Sequence, residues 1–428
     1  MRVVLVNRYF HPDESATSRM VSSLAFGLAA AGVDIEIVTG RYRHDDPSVA
    51  LSEVETVDGV RVNRIATTHF GRARLPGRAA DYGSFHLAAA FWCLTHIRRG
   101  DIVIACTDPP LLSVSLAAAI APRGGVLVNW LHDIFPEVAI ELGLIRRQGN
   151  LARLTLALRD RSLRCASVNV VPTAAMARGL EHRNLGGAPV ALVPYWSEEN
   201  EIRPIAPADN RLRQDWGFEA ASAFVVGYSG NFGRAHDFAT ILGAAELLLG
   251  DARIRFCLVG GGYGSEQVER EIRSRRLTNI LLQPLQPRAR LAESLSVADL
   301  HLVSLLPQLE PYVVPSKLYG IMAAGRPVVF IGADDGEVAT VLRSREIGHS
   351  VAVGEGSALA ARILDLQRDP EARLAMGRRA RAAFEADHVR ARGVAAWRRL
   401  LETIAPGKAD ATLSTPPYSA EPDDTARG

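Results

Sequence analysis

The chain has 428 residues, of which 48% are hydrophobic and 22% charged, and its formal net charge is +2. This composition is that of a soluble globular protein, and the length favours two domains over one. The near-balanced charge excludes a generally basic surface, so no nucleic-acid partner is expected.

Short apolar runs that alternate with helical stretches predict a parallel sheet in the first half of the chain. The predicted strands are Arg2–Asn7, Asp34–Thr39, Val60–Ile65, Asp101–Cys106, Gly125–Trp130, Val168–Val171 and Val190–Pro194. Segments rich in Ala and Leu, such as Met20–Ala31 and Leu151–Arg164, have helical periodicity. Continuous apolar strands that alternate with helices are typical of a parallel sheet covered on both faces.

The segment Val193–Asn210 is rich in proline and charge, which indicates a linker. The alternation resumes after it, with predicted strands at Phe224–Tyr228, Arg253–Val259, Asn279–Gln283, Asp299–Leu305 and Pro327–Ile331. Two similar α/β halves predict two doubly wound domains that face each other across a cleft. A helical run at Pro370–Ile404 follows, and then a tail without apolar periodicity that we expect to be disordered.

The cysteines and the apolar runs bear on the compartment. Cys93, Cys106, Cys165 and Cys257 are widely separated and show no metal-ligand spacing, so we expect buried thiols in a reducing, cytoplasmic compartment. The chain opens on a strand-like run without a basic leader, and no signal peptide is expected. The longest apolar candidate, Pro110–Ala121, is about half as long as the ~20 residues that span a bilayer.

Two glycine-rich loops follow predicted strands in the second half. Gly230 and Gly233 flank Asn231 and would let backbone amides approach an anion, although an ordinary tight turn has the same pattern. The next loop, CLVGGGYGSEQ, fails the Gly-x-Gly-x-x-Gly spacing, since the sixth position from Gly260 is Ser265. A nicotinamide site is therefore disfavoured.

Lys317 is one of only two lysines, against 47 arginines, and the other, Lys408, lies in the tail. The pattern predicts a helix over Ser316–Ala324 with Ser316 as its N-cap. A cation in the first turn opposes the helix dipole, which suggests that a ligand requires it there. An amine, a hydroxyl and free amides suit a phosphate, so we predict that Lys317 contacts a diphosphate rather than solvent alone.

Three motifs in chain order, LHDIFPEVAIELGLI, YSGNFGRAHDF and PSKLYGIMAAGRPVV, resemble the retaining GT-B glycosyltransferases of family four. The likeness extends over about residues 1–400 and is strongest to the WbuB-like bacterial branch, which builds capsule, colanic-acid and O-antigen saccharides. It implies a Rossmann-like acceptor domain at 1–195, a Rossmann-like nucleotide-sugar donor domain at 196–385, a helix at 386–404 that crosses back to the first domain, and a disordered tail at 405–428.

The chain departs from the family pattern in the donor domain. Tyr312 and Gly320 stand where the family's Glu-x7-Glu signature has its glutamates, and Glu310, two residues from the first position, is a candidate substitute. Asn231 and His236 stand where the family has the arginine and lysine of a diphosphate clamp. We expect the lysine at the predicted helix start to supply the missing cation.

The resemblance assigns a site residue by residue. Donor binding falls on Gly230, Asn231, Phe232, Gly233, Arg234, Gln283, Pro315, Ser316, Lys317 and Leu318, with Gln283 near the nucleobase. Candidate catalytic residues are Lys317, His132 and Glu310, and candidate acceptor-side residues are Ser15, Ala16, Thr17 and Asp133. A simple capped loop at 15–17 and a structural His132–Asp133 pair are the alternatives. Nothing completes a metal site, so no metal or other cofactor is expected.

We therefore predict transfer of a sugar, with retention, from a nucleotide-diphosphate sugar to a saccharide or polyprenyl-diphosphate-linked acceptor in cell-surface polysaccharide biosynthesis. A UDP-sugar is the expected donor. The family's account is front-face attack, in which the leaving diphosphate helps to deprotonate the acceptor hydroxyl and the protein orients and stabilises. Two alternatives stay open, a nucleotide-sugar 2-epimerase and a non-catalytic scaffold, the latter favoured by the lost glutamates.

The segment His69–Arg99 combines arginines with apolar side chains. They are Arg72, Arg74, Arg78, Arg98 and Arg99, together with Phe85, Leu87, Phe91, Trp92 and Leu94. A core helix beside a solvated arginine loop explains the apolar residues. A lipid-linked acceptor, which the resemblance implies, favours a weak peripheral contact with the anionic inner face of the plasma membrane.

Overall fold

The computed structural model describes residues 1–44, 46–71, 75–183, 185–219 and 223–405. Its strands are β1 (Arg2–Val6), β2 (Asp34–Gly40), β3 (Val54–Val57), β4 (Val60–Ile65), β5 (Ile102–Ala105), β6 (Val126–Trp130), β7 (Val168–Val171), β8 (Val190–Leu192), β9 (Phe224–Asn231), β10 (Ile254–Gly261), β11 (Ile280–Gln283), β12 (Leu300–Ser304), β13 (Val328–Ile331) and β14 (Gly348–Val351).

Its α-helices are α1 (Ala16–Ala30), α2 (Leu75–His96), α3 (Leu112–Ile120), α4 (Glu137–Glu141), α5 (Asn150–Cys165), α6 (Ala174–Glu181), α7 (Arg211–Asp215), α8 (Ala239–Leu247), α9 (Ser265–Ser274), α10 (Leu291–Ser296), α11 (Lys317–Ala323), α12 (Glu337–Ser344), α13 (Gly356–Arg368), α14 (Pro370–Asp387) and α15 (Arg390–Ile404). These elements form two compact units. The first contains Met1–Pro194, Pro311–Val314 and α15, and the second contains Tyr195–Glu310 and Pro315–Val389.

The first unit is built on an eight-stranded sheet in the order β3-β4-β2-β1-β5-β6-β7-β8. All neighbouring strands are parallel except β3 and β4, which form an antiparallel pair at one edge. Val3 to Val6 in β1 are fully buried, as expected for a strand inside a parallel sheet that is covered on both faces. The chain changes direction across the sheet between β1 and β5, so the loops after these strands lie at the switch point.

Helix α15 belongs to the first unit, where it packs on α1. Gly27 of α1 lies against Val394, and a Cβ at this glycine would overlap the valine side chain. Trp397 is fully buried, with its ring centre 4.9 Å from that of Trp130. The predicted helical run Pro370–Ile404 is two helices, because the chain leaves helical geometry between α14 and α15.

The second unit is built on six parallel strands in the order β11-β10-β9-β12-β13-β14. Counted within the unit, this is the 3-2-1-4-5-6 order of dinucleotide-binding folds, with its switch point between β9 and β12. The predicted fold class, two parallel-sheet α/β domains, is confirmed. Strands β3 and β14 were missed because they lie at sheet edges and carry no continuous apolar run.

Two expectations about individual features are answered by the structure. Cys93, Cys106 and Cys257 are buried, but Cys165 is exposed, so the prediction of four buried thiols is wrong. Cys165 is the last residue of α5 and lies two positions after buried Leu163, which turns it away from the core. Within the described ranges, no helix has the length and apolar character needed to cross a bilayer.

Candidate functional site

The ends of β9 and β12 bring three polar side chains together at the switch point of the second sheet. Tyr228 lies in β9, His236 lies in the loop after it, and Lys317 begins α11, which follows β12. His236 Nδ1 lies 2.5 Å from the carbonyl oxygen of Ser304, the last residue of β12. Ligands of sheets with this topology bind outside the carboxyl ends of the strands, at the switch point.

The amine of Lys317 is largely buried and has no anionic partner among the described residues. Its Nζ donates to Tyr228 Oη and lies 3.4 Å from His236 Nε2. It also lies 4.1 Å from the centre of the Tyr228 ring. Burial lowers the pKa of Lys317 to about 7, and no neighbouring carboxylate opposes this effect. Such an amine can accept an anion from solution as its partner.

Tyr228 and His236 are absent from the site predicted from the sequence. Burial raises the pKa of Tyr228, which keeps the phenol neutral. Burial, and secondly the charge of Lys317, lower the pKa of His236 to about 4, so the imidazole is neutral at pH 7. One signal pointed to His236, since it stands where the family has a lysine; Tyr228 was hidden inside an apolar strand.

Gly230 lies directly against the lysine side chain. Its φ is 136°, and a Cβ at this position would overlap Lys317 Cε and lie 3.1 Å from Nζ. The missing side chain therefore makes room for the amine. Gly233 follows on the same loop, where its carbonyl oxygen accepts a hydrogen bond of 3.2 Å from the amide of His236.

Phe232, which lies between Gly230 and Gly233 in the chain, is a core residue. Its ring is 3% exposed and lies edge-on to that of Tyr228. Its amide donates to Gly261 and its carbonyl accepts from Gly264, both at 2.8 Å. Gly261, at the end of β10, and Gly264, after it, thus allow two loops to pack closely, and a ligand contact of Phe232 stays a prediction.

The remaining predicted donor residues of these loops lie near the surface. Asn231 is exposed, and the guanidinium of Arg234 lies 4.0 Å from the centre of the exposed Tyr263 ring. Gln283 is the last residue of β11, so it lies at the carboxyl end of its strand, and β10 separates this strand from β9. Asn231 and Arg234 therefore lie in the same segment as Gly230, at and after the end of β9, and Gln283 ends a strand of the same sheet.

Ser316 does not cap α11 through its side chain, contrary to the prediction from the sequence. Ser316 has helical backbone angles (φ −56°, ψ −17°) and makes no capping hydrogen bond through its side chain. An N-cap serine needs an extended backbone, which the preceding loop does not give it. Leu318 is 4% exposed and its amide donates to Pro315 at 3.1 Å, so the prediction that this amide is free is wrong. Ser316 itself is exposed.

The side chain of Glu310 lies at the N-terminus of α12. Its carboxylate lies beside the amides of Glu337 and Val338, so close to Gly336 that a Cβ there would overlap it, and its Oε1 is buried without a hydrogen-bond partner among the described residues. Burial, with smaller contributions from Glu337 and Asp335, raises the pKa of Glu310 to about 7. The carboxyl group thus lies at the start of α12, where the helix dipole favours an acidic side chain, and its catalytic role stays a prediction.

The predicted acceptor-side loop of the first unit is a capped helix start. Ser15 accepts a hydrogen bond of 3.4 Å from the amide of Ser18, and the carboxylate of Asp13 accepts from the Ser15 amide at 2.9 Å. Ala16 is exposed and Thr17 partly exposed. Ser15 therefore fits the alternative of a simple capped loop. The small side chains of Ala16 and Thr17 leave the start of the helix accessible.

His132 and Asp133, the other predicted pair, lie in contrasting environments. His132 is 4% exposed, with its ring 4.4 Å from that of Trp130, and burial lowers its pKa to about 3. His132 is therefore a neutral side chain packed against Trp130, and its catalytic role stays a prediction. Asp133 is exposed and lines a small cavity beside Thr107, in the loop after β5.

No metal centre is formed within the part of the chain that the structure describes. No group of three or more His, Cys, Asp or Glu side chains there has the geometry to hold an ion. The groups that do converge are an amine, a phenol and an imidazole, next to exposed amide and guanidinium side chains. Of these groups the amine, the amide and the guanidinium are the donors that suit an anionic ligand.

Two family models match the chain. Residues 15–196 match the model described as glycosyl transferase 4-like domain, and residues 211–383 match the model described as glycosyl transferases group 1. Together with two parallel-sheet α/β units, these matches define the class: the chain belongs to the glycosyltransferases with the GT-B fold.

Relatives and a solved structure agree with this class. The chain is 25% identical over 272 residues to the probable glycosyltransferase WbjE of Pseudomonas aeruginosa, covering 63% of this chain and 66% of that protein. It is 24% identical over 339 residues to the putative colanic acid biosynthesis glycosyl transferase WcaI of Escherichia coli (strain K12), covering 76% and 82%. Anabaena Alr3699/HepE in complex with UDP-glucose superposes with a TM-score of 0.70 at 15% identity, covering 94% of this chain and 100% of that one, which shows the fold alone.

Proposed function

We propose that this glycosyltransferase moves a sugar, with retention, from a UDP-sugar to a polyprenyl-diphosphate-linked or free saccharide during cell-surface polysaccharide synthesis. The observation that carries the proposal is the buried amine of Lys317, which has no anionic partner among the described residues. The UDP-glucose held by HepE supports the nucleotide, and the name of WcaI, a colanic acid transferase, supports the product. The motif PSKLYGIMAAGRPVV supports the WbuB-like branch.

In this proposal Lys317 stabilises the negative charge that develops on the leaving diphosphate. A compact ammonium suits charge that shifts between phosphate oxygens, and a site with little water strengthens the interaction. Asn231, Arg234 and Ser316 border the diphosphate, and Gln283 meets the nucleobase. Asp133 and Thr17 lie on the acceptor side. The leaving diphosphate takes the proton of the acceptor hydroxyl, so neither a side-chain nucleophile nor a metal is required.

The test is an incubation of the purified protein with UDP-sugars and a polyprenyl-diphosphate-linked saccharide, with and without EDTA. The expected result is a product whose new glycosidic bond keeps the donor's anomeric configuration, at a rate that EDTA does not change. Inversion at C2 without an acceptor would instead identify a 2-epimerase. Nucleotide binding without either reaction would identify a scaffold.

Lys317→Ala should lower kcat/KM on the order of 100-fold, because the main cation on the leaving group is lost. Lys317→Arg should recover only part of the activity, since a planar guanidinium does not reproduce a point charge. The matched control is Lys408→Ala, which removes the chain's other lysine and should leave activity unchanged. Near-normal turnover of the Lys317→Ala enzyme would return this residue to a solvated, non-functional role.

We also propose a weak peripheral contact with the anionic inner face of the plasma membrane, which serves a lipid-linked acceptor. In α2, Leu87, Phe91 and Leu94 are exposed, while Phe85 and Trp92 face the core, which corrects the predicted apolar set.

Helix α5, which packs on α3 as α2 does, has three exposed leucines, Leu151, Leu154 and Leu158. Arg98 and Arg99 are exposed and Arg78 is partly exposed; Arg72 and Arg74 lie outside the described residues. Apolar side chains flanked by cations suit the headgroup region.

Flotation with vesicles of zwitterionic and anionic phospholipid tests this contact. The wild type should float at low salt and less at high salt, because the charge attraction is screened. The double variant Leu87→Ser, Phe91→Ser should lose most of the bound fraction. The matched control is Leu247→Ser, Leu374→Ser, which removes two exposed leucines of the second unit and should float like the wild type. A wild type that never floats at low salt would contradict the contact and favour a soluble acceptor.

A further inference from the structure

The hydrogen bonds of Tyr228 fix which of its atoms faces the lysine. The Tyr228 hydroxyl donates its only hydrogen to the carbonyl oxygen of Asn231 at 3.0 Å. A carbonyl oxygen cannot donate, so the direction of this bond is certain. The remaining lone pairs of Oη are therefore what Lys317 Nζ meets, and Nζ is the donor. Tyr228 thus ties the amine to the backbone of the glycine loop.

The hydrogen bonds of His236 fix its tautomer in the same way. Its Nδ1 lies 2.5 Å from the Ser304 carbonyl oxygen, which can only accept, so Nδ1 carries the proton. The imidazole is neutral at pH 7, and Nε2 is then an acceptor with its lone pair available. This lone pair faces Lys317 Nζ at 3.4 Å. Strand β12 therefore orients the imidazole towards the amine.

Tyr228 Oη and His236 Nε2 are both neutral acceptors, unlike the carboxylates that ordinarily pair with a lysine. They can engage two of the three N–H groups of an ammonium while leaving its charge uncompensated. Among the described residues no carboxylate forms an ion pair with this amine, and burial is the cause that lowers its pKa. A carboxylate in either position would instead form an ion pair and compete with a diphosphate for the same cation.

We propose that Tyr228 and His236 are positioning residues, which hold the Lys317 amine in place through neutral acceptors so that the donor diphosphate becomes its only counter-ion. This inference rests on the proposed function, since it takes the nucleotide-sugar diphosphate as the ligand. It adds that the position of the amine is set by β9 and β12, the two strands at the switch point, rather than by its own helix.

The experiment observes the two lysines directly. Protein labelled with ¹³C at lysine Cε gives two signals, which Lys408→Arg assigns, and each signal reports the titration of its amine. In the wild type, the Lys317 midpoint should lie well below that of Lys408, and UDP should raise it. Tyr228→Phe and His236→Leu each remove an acceptor that favours the ammonium, so both should lower the Lys317 midpoint further. His236→Gln, which keeps an acceptor, should return the midpoint towards the wild-type value.

Kinetics give a second readout on the same proteins. Tyr228→Phe and His236→Leu should lower kcat on the order of 10- to 100-fold, with a smaller change in donor KM, because a misplaced amine fails mainly in the transition state. His236→Gln should recover most of the loss. A merely structural role would change thermal stability without moving the midpoint, and it would not distinguish Gln from Leu.

Two outcomes separate this inference from the proposed function. If the Lys317 midpoint and UDP affinity are the same in Tyr228→Phe, His236→Leu and the wild type, the positioning inference is overturned while the donor assignment stands. If UDP shifts no lysine signal of the wild type, the donor assignment is overturned, and with it the counter-ion role proposed for the diphosphate. Tyr228→Phe is isosteric and keeps the buried ring, so at least one variant tests the cluster in a folded protein.

Discussion

At the scale of single residues, Gly230 has no side chain, and this leaves the space in which the side chain of Lys317 lies. The lysine side chain occupies the space that a Cβ at position 230 would fill. The glycine also has φ of 136°, which other residues rarely adopt. A glycine loop in this fold is commonly explained by an approaching phosphate; here the nearest occupant of the space is the protein's own amine.

Gly230→Ala should displace the lysine and lower UDP affinity on the order of tenfold, because the new methyl group takes the place of Cε. The overlap is with the flexible end of a side chain, so the fold should survive at a cost of about 1–3 kcal/mol from backbone strain. Titration calorimetry with UDP measures the first effect and urea unfolding the second. Gly250→Ala is the matched control, since no atom lies within 4 Å of its Cβ. Wild-type UDP affinity in Gly230→Ala would show that the two positions are independent.

At the scale of elements, the loop that joins β12 to α11 also contacts the start of α12, through the side chain of Glu310. Glu310 reaches from this loop to the N-terminus of α12, and Gly336 leaves the room for its carboxylate. Its folded-state pKa of about 7 lies above the reference value of 4.5. The stability that the neutral acid contributes is therefore fully present below about pH 4.5 and is lost as pH rises through about 7.

Glu310→Gln should match the wild type in stability near pH 5 and exceed it near pH 8 by about 1–2 kcal/mol, because glutamine keeps an acceptor and cannot ionise. Sugar transfer should be nearly unchanged. Urea unfolding at several pH values measures the first quantity and the transfer assay the second. Glu266→Gln, at the exposed start of α9, is the control that should show no such pH dependence. Loss of transfer with normal stability would restore Glu310 as a catalytic residue.

The sequence predicts elements better than it predicts their ends. Apolar strands such as β1 and β12 are buried on both sides, and their composition alone identifies them. The start of α11 is harder, because the role of Ser316 depends on the path of the loop before it, which distant contacts determine. His132 is similar: it is buried with its ring against Trp130, which in turn packs on the distant Trp397, and the local sequence does not indicate this burial. Lys317 was identifiable because its rarity in the composition is independent of the fold.

At the scale of the whole molecule, the second unit contains a largely buried amine that destabilises its folded state. The folded-state pKa of Lys317, about 7, lies below the reference value of 10.5, so the folded state disfavours the protonated amine. Stability linked to this group is therefore present above about pH 10.5 and is lost as pH falls through about 7. Near pH 6 the full cost of burying the charge applies to the protein without ligand.

Lys317→Met should raise the free energy of unfolding near pH 6 by about 1–3 kcal/mol, since methionine fills similar volume without a charge. The difference should shrink as pH rises and vanish above about 10.5, where the wild-type amine is neutral in both states. Urea unfolding across this range measures it, and Lys408→Met provides the baseline. A stability difference that does not vary with pH would show that the amine is not charged at a cost in the folded protein.

An amine with a pKa of about 7 is also a nucleophile at neutral pH, with roughly half of its population unprotonated, whereas an ordinary lysine is almost wholly protonated there. The chain offers amine-directed reagents one other side-chain target, Lys408. A uridine nucleotide that carries an aldehyde would therefore form its imine at Lys317 in preference, and hydride reduction would make the link permanent. The same shortage of lysine that singles out this position in the sequence makes Lys317 a target for covalent inhibitors and for selective labelling of a lysine side chain in the intact protein.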